Sequence, residues 1–346
     1  MELLERQSQL DELTQYLREA EAGSGKVAFV VGEAGAGKSA LVEAFAAQLS
    51  RGARVVWGAC DALQTPRALG PVHEVASALT VASAGSDLAE QSRPQLFARL
   101  VDELARRDRF TVVVLEDLHW ADEATLDFVR YVGRRIQRTR CLLIATYRDD
   151  ELAATHPLRR MLGEITGRHT TRIRVPPLSL AAVTRLAEGG PRNVERIYEV
   201  TGGNAFFVRE VLAASRDVLP ETVRDAVIAR LMQCSPGARE LAQLVSLSPG
   251  KTELWLAASI LSAPGPLIEE GVARGLLRAG EDSLAFRHEL ARLAVETTVP
   301  PARAQDLHQR ILAALRERGA DLSELVHHAQ RARDVGAIRE CAPRAG

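Results

Sequence analysis

Eight consecutive residues, Gly32-Glu33-Ala34-Gly35-Ala36-Gly37-Lys38-Ser39, constrain this chain more than any other part of its 346 residues. They follow an apolar run, Val27 to Val31, and precede an amphipathic stretch, Ser39 to Gln48, so the octet falls where a strand turns into a helix. In that setting GxxxxGK[ST] reads as a P-loop. Small residues let successive amides curl around an anion, and the helix start adds the positive end of its dipole. Lys38 then spans the β- and γ-phosphates of a nucleoside triphosphate, and the Ser39 hydroxyl reaches its Mg²⁺. A glycine-rich turn with a chance Lys-Ser is the bland alternative, and it does not require a strand before and a helix after.

A second signal lies at Thr111-Val112-Val113-Val114-Leu115-Glu116-Asp117, an apolar strand ending in two acids. Adjacent carboxylates at a strand end are costly to bury unless a cation sits there, and hydrated Mg²⁺ would supply one. By position Glu116 serves the metal and Asp117 polarises the attacking water; the reverse order stays open. Arg148, after the run Cys141 to Thr146, is placed either to sense a γ-phosphate or to pair with Asp149, Asp150 or Glu151. Arg134 and Arg135 read as solvated charges.

Residues up to 175 alternate apolar runs with helical patterns, which predicts a five-stranded, mainly parallel α/β sheet with helices on both faces. The strands are expected at Val27–Val31, Arg54–Trp57, Thr111–Leu115, Cys141–Thr146 and Thr171–Val175, the last alternating polar with apolar like an edge strand. Helices are expected at Ser39–Gln48, Pro71–Leu79, Pro94–Arg106, Glu123–Arg138 and Pro157–Ile165. Pro176 and Pro177 break this pattern. Beyond them come helices, including Thr252–Leu261, and one hairpin within residues 275–288. The expected organisation is a P-loop ATPase domain over residues 1–176, an α-helical lid over 177–219, a winged-helix-like domain over 220–300 and a helical segment over 301–346. That last segment, ending in CAPRAG, reads as the start of a truncated helical repeat.

Forty-four basic against forty-five acidic side chains leave a formal charge of -1, so no global field favours a polyanion or an anionic membrane. Four scattered cysteines without a CxxC pair fit neither a disulfide framework nor a zinc site, and predict a cytoplasmic protein with reduced thiols. No apolar run approaches the ~20 residues that span a bilayer.

The segments LLERQSQLDEL, GEAGAGKS, GACDALQTPRALGPVHEVA, VVVLEDLHWADEATLDFVRYV, LLIATYRDDEL, VPPLSL, TGGNAFFVREVL and LPETVRDAVIARL, in this order, resemble the STAND class of P-loop ATPases, and within it the ATPase part of large LuxR-type bacterial transcriptional regulators. The resemblance runs from residue 3 to about residue 335. It implies an ATPase closed on ADP and opened by ATP and an inducer. It also implies self-association and a DNA-binding domain outside this chain. It assigns Lys38 and Ser39 to phosphate and metal, Glu116 and Asp117 to the Walker B position, and Arg148 to the sensor position. Arg6 resembles an arginine near the adenine, although Glu5 and Gln7 depart from the family's neighbours. Gly202-Gly203-Asn204 resembles a nucleotide-facing turn, with Ala205 where relatives carry proline; a helix stop and N-cap reads it equally well. His288 resembles a winged-helix histidine that touches the ADP β-phosphate, against the alternative of a structural imidazole. Trp120 and Asp122 are explained by a buried indole and a helix N-cap.

The leading expectation is a slow ATPase whose nucleotide state is its output. The alternatives are an ordinary P-loop enzyme, such as a small-molecule kinase or a constitutive ATPase, and direct DNA binding through the winged helix. The last is disfavoured because residues 236–261 carry only Arg239 and Lys251.

Overall fold

Five strands, β1 (Lys26–Val31), β2 (Ala53–Ala59), β3 (Phe110–Glu116), β4 (Cys141–Tyr147) and β5 (Thr170–Arg174), pair in parallel in the order β2-β3-β4-β1-β5. The computed structural model describes residues 3–49, 53–61, 68–80, 92–106, 110–152, 155–187, 193–214 and 219–341. Part of the GACDALQTPRALGPVHEVA segment and the end of CAPRAG lie outside them.

Strands β1, β3 and β4 are buried on both faces, their successive side chains going to opposite layers. Val27, Phe29, Val31, Val113, Leu115, Leu143 and Ala145 face one core, with Val72, Phe97, Phe128 and Met161 from four helices, Gly70–Thr80, Arg93–Leu104, Glu123–Gly133 and Pro157–Glu164. Ala28, Val30, Val112, Val114, Leu142 and Ile144 face the other core, against Leu10, Leu13, Leu41 and Phe45 from Gln7–Glu21 and Lys38–Ala47. This is a P-loop NTPase-like sheet. Strand β5 lies at its edge with Ile173 buried and Arg172 exposed, as its alternation predicts.

Two elements differ from the sequence expectation in this half. The helix Gln7–Glu21 was not expected, although Leu10, Leu13 and Leu17 recur at helical spacing. The helix from Glu123 stops at Gly133, where a Cβ would stand 3.0 Å from Ile165, and a short 3₁₀ turn covers Ile136–Arg138.

Gly25, just before β1, is closely packed: a Cβ there would run into the Ile136 carbonyl and the Thr139 hydroxyl. Gly25→Ala is expected to lower stability by about 3 kcal/mol, since backbone cannot retreat as a side chain can. Gly163→Ala, in a helix with open space at the Cβ position, is expected to be neutral or mildly stabilising. Urea unfolding of the two variants compares them directly.

The chain divides into two compact units between Leu178 and Ser179. The second has its own core, including Leu231, Leu241, Leu256, Leu277, Leu284 and Ile311. Among its described residues the regular elements are helices except for β6 (Lys251–Glu253), β7 (Leu277–Ala279) and β8 (Ser283–Phe286), an antiparallel sheet in the order β6-β8-β7. The expected helix Thr252–Leu261 is thus corrected: its first residues pair with β8, burying Thr252, and the helix begins only at Leu254. No described helix is long and apolar enough to cross a membrane.

Candidate functional site

The octet connects β1 to the helix Lys38–Ala47. Gly37 has φ +96°, a left-handed conformation that an L side chain rarely adopts, and it turns the chain into the helix. Gly32 is required by space: a Cβ there would stand 2.7 Å from the Val175 carbonyl oxygen. Ala36 is buried, and Lys38 opens the helix with 7% exposure. Lys38 Nζ donates to the Gly32 and Glu33 carbonyls at 2.9 and 2.8 Å. Burial pulls its pKa down, Arg148 adds to that, and the Asp117 carboxylate opposes it.

Because β1, β4 and β3 are adjacent and parallel, their carboxyl ends open on one edge. Val31 is level with Tyr147, and Leu115 with Ala145. Two strand spacings, roughly 10 Å, therefore separate the start of the P-loop from Glu116 and Asp117. Asp117 has φ +55°, and its N–H donates to Thr146 Oγ1 at 2.9 Å. Burial raises the Asp117 pKa, while Arg148 and Lys38 hold it down. Arg148 donates to Glu151 at 2.7 Å, stands 4.0 Å from Asp117 and lies over the Trp120 ring at 4.7 Å. The sheet thus gathers Lys38, Glu116, Asp117 and Arg148 at one edge, and Arg148 has both the acidic partner foreseen for it and the acid beside the P-loop.

Sequence reasoning passed over two residues here, Thr146 and His119, while Asp122 takes the N-cap place expected of it. Thr146 holds the Asp117 backbone, and its signal was a hydroxyl in the otherwise apolar run CLLIAT. His119 is buried with Nδ1 3.8 Å from Asp117 and Nε2 3.5 Å from Glu151, so it stands between two acids that are 34 positions apart. Only the fold brings Glu151 there. Asp122 accepts from the Ala124 and Thr125 amides and caps the helix Glu123–Gly133.

Arg6 is buried, and its pKa is lowered by that burial. Its guanidinium donates to the Ala36 carbonyl at 3.3 Å and to the Pro176 carbonyl at 2.7 Å, so it braces the P-loop from behind. In the second unit Asn204 caps the helix Ala205–Ala213, accepting from the Phe207 amide at 3.3 Å. His288 packs edge-on against Phe207, and a Cβ on Gly202 would stand 3.1 Å from its Nδ1. The Gly202–Asn204 turn and His288 therefore form one local cluster, although 84 positions separate Asn204 from His288.

The residues at the sheet edge fit a phosphate chain with a metal ion. Gly35 and Gly37 take the left-handed backbone that curls a loop of amides, and Glu116 Oε1 is buried with no hydrogen-bond partner among the described residues. A carboxylate oxygen in that position calls for a cation or an ordered water.

Residues 2–144 match the AAA ATPase domain. The matched stretch holds Arg6, the P-loop, Glu116 and Asp117, and ends shortly before Arg148. An uncharacterised protein of Rhizobium meliloti is 25% identical over 71% of this chain, and the match spans about a quarter (26%) of that protein's length. Among solved structures, the Walker-type ATPase of Pyrococcus abyssi aligns with a TM-score of 0.60, 15% identity, and coverage of 85% of this chain and 96% of its own. The ORC2 protein of Aeropyrum pernix aligns with a TM-score of 0.54, 15% identity, and coverage of 91% and 96%. At such identities the likeness concerns the fold alone.

Proposed function

We propose that this chain binds ATP with Mg²⁺ at the edge formed by the P-loop, Glu116 and Asp117, hydrolyses it slowly, and acts as the nucleotide-operated switch of a STAND-class, LuxR-type regulatory protein. The observation that carries the reading is the convergence of a glycine-built loop, a buried lysine and an orphaned buried carboxylate oxygen at one sheet edge. The AAA ATPase match, and the ORC2 relative described in complexes with ADPNP and ADP, support an adenine nucleotide.

In this reading the amides of Glu33 to Ser39 wrap the phosphates, and the Lys38 ammonium exchanges its two carbonyl acceptors for phosphate oxygens. Bound Mg²⁺ would neutralise developing charge on the phosphates, held by Ser39 and Glu116. Asp117, its pKa raised by burial, orients the attacking water and takes up its proton. Thr146 fixes the Asp117 backbone, and Arg148 stands ready to meet the terminal phosphate.

The second unit supplies the switch's moving parts in this proposal: a helical lid over 177–219, a winged helix over 220–300 and the first helices of a repeat array over 301–346. Its three-stranded antiparallel sheet, with the helices Glu221–Met232, Pro236–Ser246 and Leu254–Ile260, supports the winged-helix reading. The Asn204 and His288 cluster is the candidate contact for nucleotide from this unit. An inducer, ATP-dependent self-association in the cytoplasm, and DNA binding through a domain outside these residues complete the proposal.

Denaturing the purified chain and identifying the released nucleotide tests it. Bound ADP with turnover well below the ~10 s⁻¹ median of enzymes is the expected result. Rapid phosphate release without any inducer, or phosphoryl transfer to a metabolite, would refute the switch.

A further inference from the structure

Three imidazoles meet in the second unit, far along the chain from the P-loop, Glu116 and Asp117. His308 lies on the helix Pro301–Arg318, and His327 and His328 lie on the helix Leu322–Ala332. One ring nitrogen from each lies within 4.8 Å of the others, and no other group of three or more His, Cys, Asp or Glu among the described residues is gathered for a metal ion in this way. His308 and His328 are buried, and their Nδ1 atoms face each other at 2.8 Å. His327 is half-buried, and its Nε2 stands 3.3 Å from the Leu247 carbonyl.

A hydrophobic contact between these two helices does not need imidazoles. Leu307, Ile311, Leu312, Leu325 and Ala329 already supply one, and each buried ring nitrogen costs desolvation that a leucine would avoid. What the arrangement does provide is nitrogen lone pairs converging from two helices. The Leu247 carbonyl only accepts, so His327 Nε2 must carry the proton, leaving the lone pair on Nδ1. An outer carbonyl that fixes the tautomer in this manner is the usual support of a metal-ligating histidine.

We propose that His308, His327 and His328 bind a borderline divalent transition-metal ion of the Zn²⁺, Ni²⁺ or Cu²⁺ class, with a fourth position left for water or a small exogenous ligand. Hard cations such as Mg²⁺ prefer oxygen and are poor occupants of a three-nitrogen site. The proton now shared by the two facing Nδ1 atoms moves to Nε2 of its own ring, so both Nδ1 lone pairs are presented and no net proton is lost. The pair opens from 2.8 Å to the roughly 3.4 Å that two Zn–N bonds of 2.0–2.1 Å at a tetrahedral angle require. Burial and the neighbouring rings hold the His308 pKa at about 4 and the His328 pKa at about 3, so both are already neutral at pH 7. The Arg331 guanidinium also acts on His308; it opposes a metal and sets a limit on affinity.

The test is titration of the chelator-treated full chain with Co²⁺ and then Zn²⁺, reading the visible bands of four-coordinate cobalt and the heat of zinc uptake. One equivalent is expected, with the cobalt bands abolished by zinc and unaffected by Mg²⁺. His328→Leu keeps a buried apolar side chain, and His327→Ala alters a half-buried one. Each is expected to weaken zinc by roughly a hundredfold, about 2.7 kcal/mol, with helix content unchanged by circular dichroism. Cobalt that stays six-coordinate in the wild-type chain overturns the proposal. So does one-equivalent binding that survives both substitutions undiminished. ATP binding is read separately, so a failure here leaves the nucleotide site untouched.

Discussion

Lys38→Met lowers ATP affinity by at least about a hundredfold while the sheet stays folded. Methionine keeps the buried stem and removes only the ammonium, whose hydrogen atoms the Gly32 and Glu33 carbonyls now accept. Charge-assisted hydrogen bonds contribute about 1.5–3 kcal/mol each, and a hundredfold is about 2.7 kcal/mol, so loss of a single phosphate contact suffices. The ammonium also gains from the phosphates themselves, whose negative charge offsets the burial that lowers its pKa. Isothermal titration with ATP and Mg²⁺, beside a urea melt, measures both quantities. Affinity unchanged in a folded variant would remove the foundation of the nucleotide reading.

Asp117→Asn leaves nucleotide binding within a few-fold and cuts single-turnover hydrolysis by about a hundredfold or more, the range in which a positioned general base contributes. Asparagine preserves the side-chain shape beside His119 and Arg148 but cannot take a proton. Only the basic form of Asp117 can act, so the wild-type rate falls as pH drops through its pKa. Because burial raises that pKa, the acid limb lies above the ordinary aspartate range. In Asp117→Asn that limb is expected to vanish. A variant that hydrolyses normally with the same acid limb would move the role to Glu116.

The first unit was legible because its signals are local. Each strand carries its own run of branched apolar residues, and all five fall within two residues of their expected ends. The P-loop was visible for a stronger reason: backbone curvature and close approach dictate residue type at Gly32 and Gly37 whatever surrounds them. The helix Gln7–Glu21 was passed over because polar residues dominate it and only one narrow stripe is apolar. Strand β6 was absorbed into a helix because three residues carry too little pattern, and its identity comes from pairing with β8, some thirty positions away. The same limit hid His119. Its neighbours in sequence say nothing of Glu151, and the imidazole acquires its setting only when β3 and β4 lie side by side.

Arg6 fastens the beginning of the first unit and its departing chain to one spot, the Ala36 and Pro176 carbonyls. A module whose two loose ends emerge beside one another can be spliced between unrelated segments without reopening its interior. Segments attached ahead of Leu4 or beyond Leu178, both of which are buried, can therefore be exchanged in the course of evolution, while the buried guanidinium keeps the same seam closed.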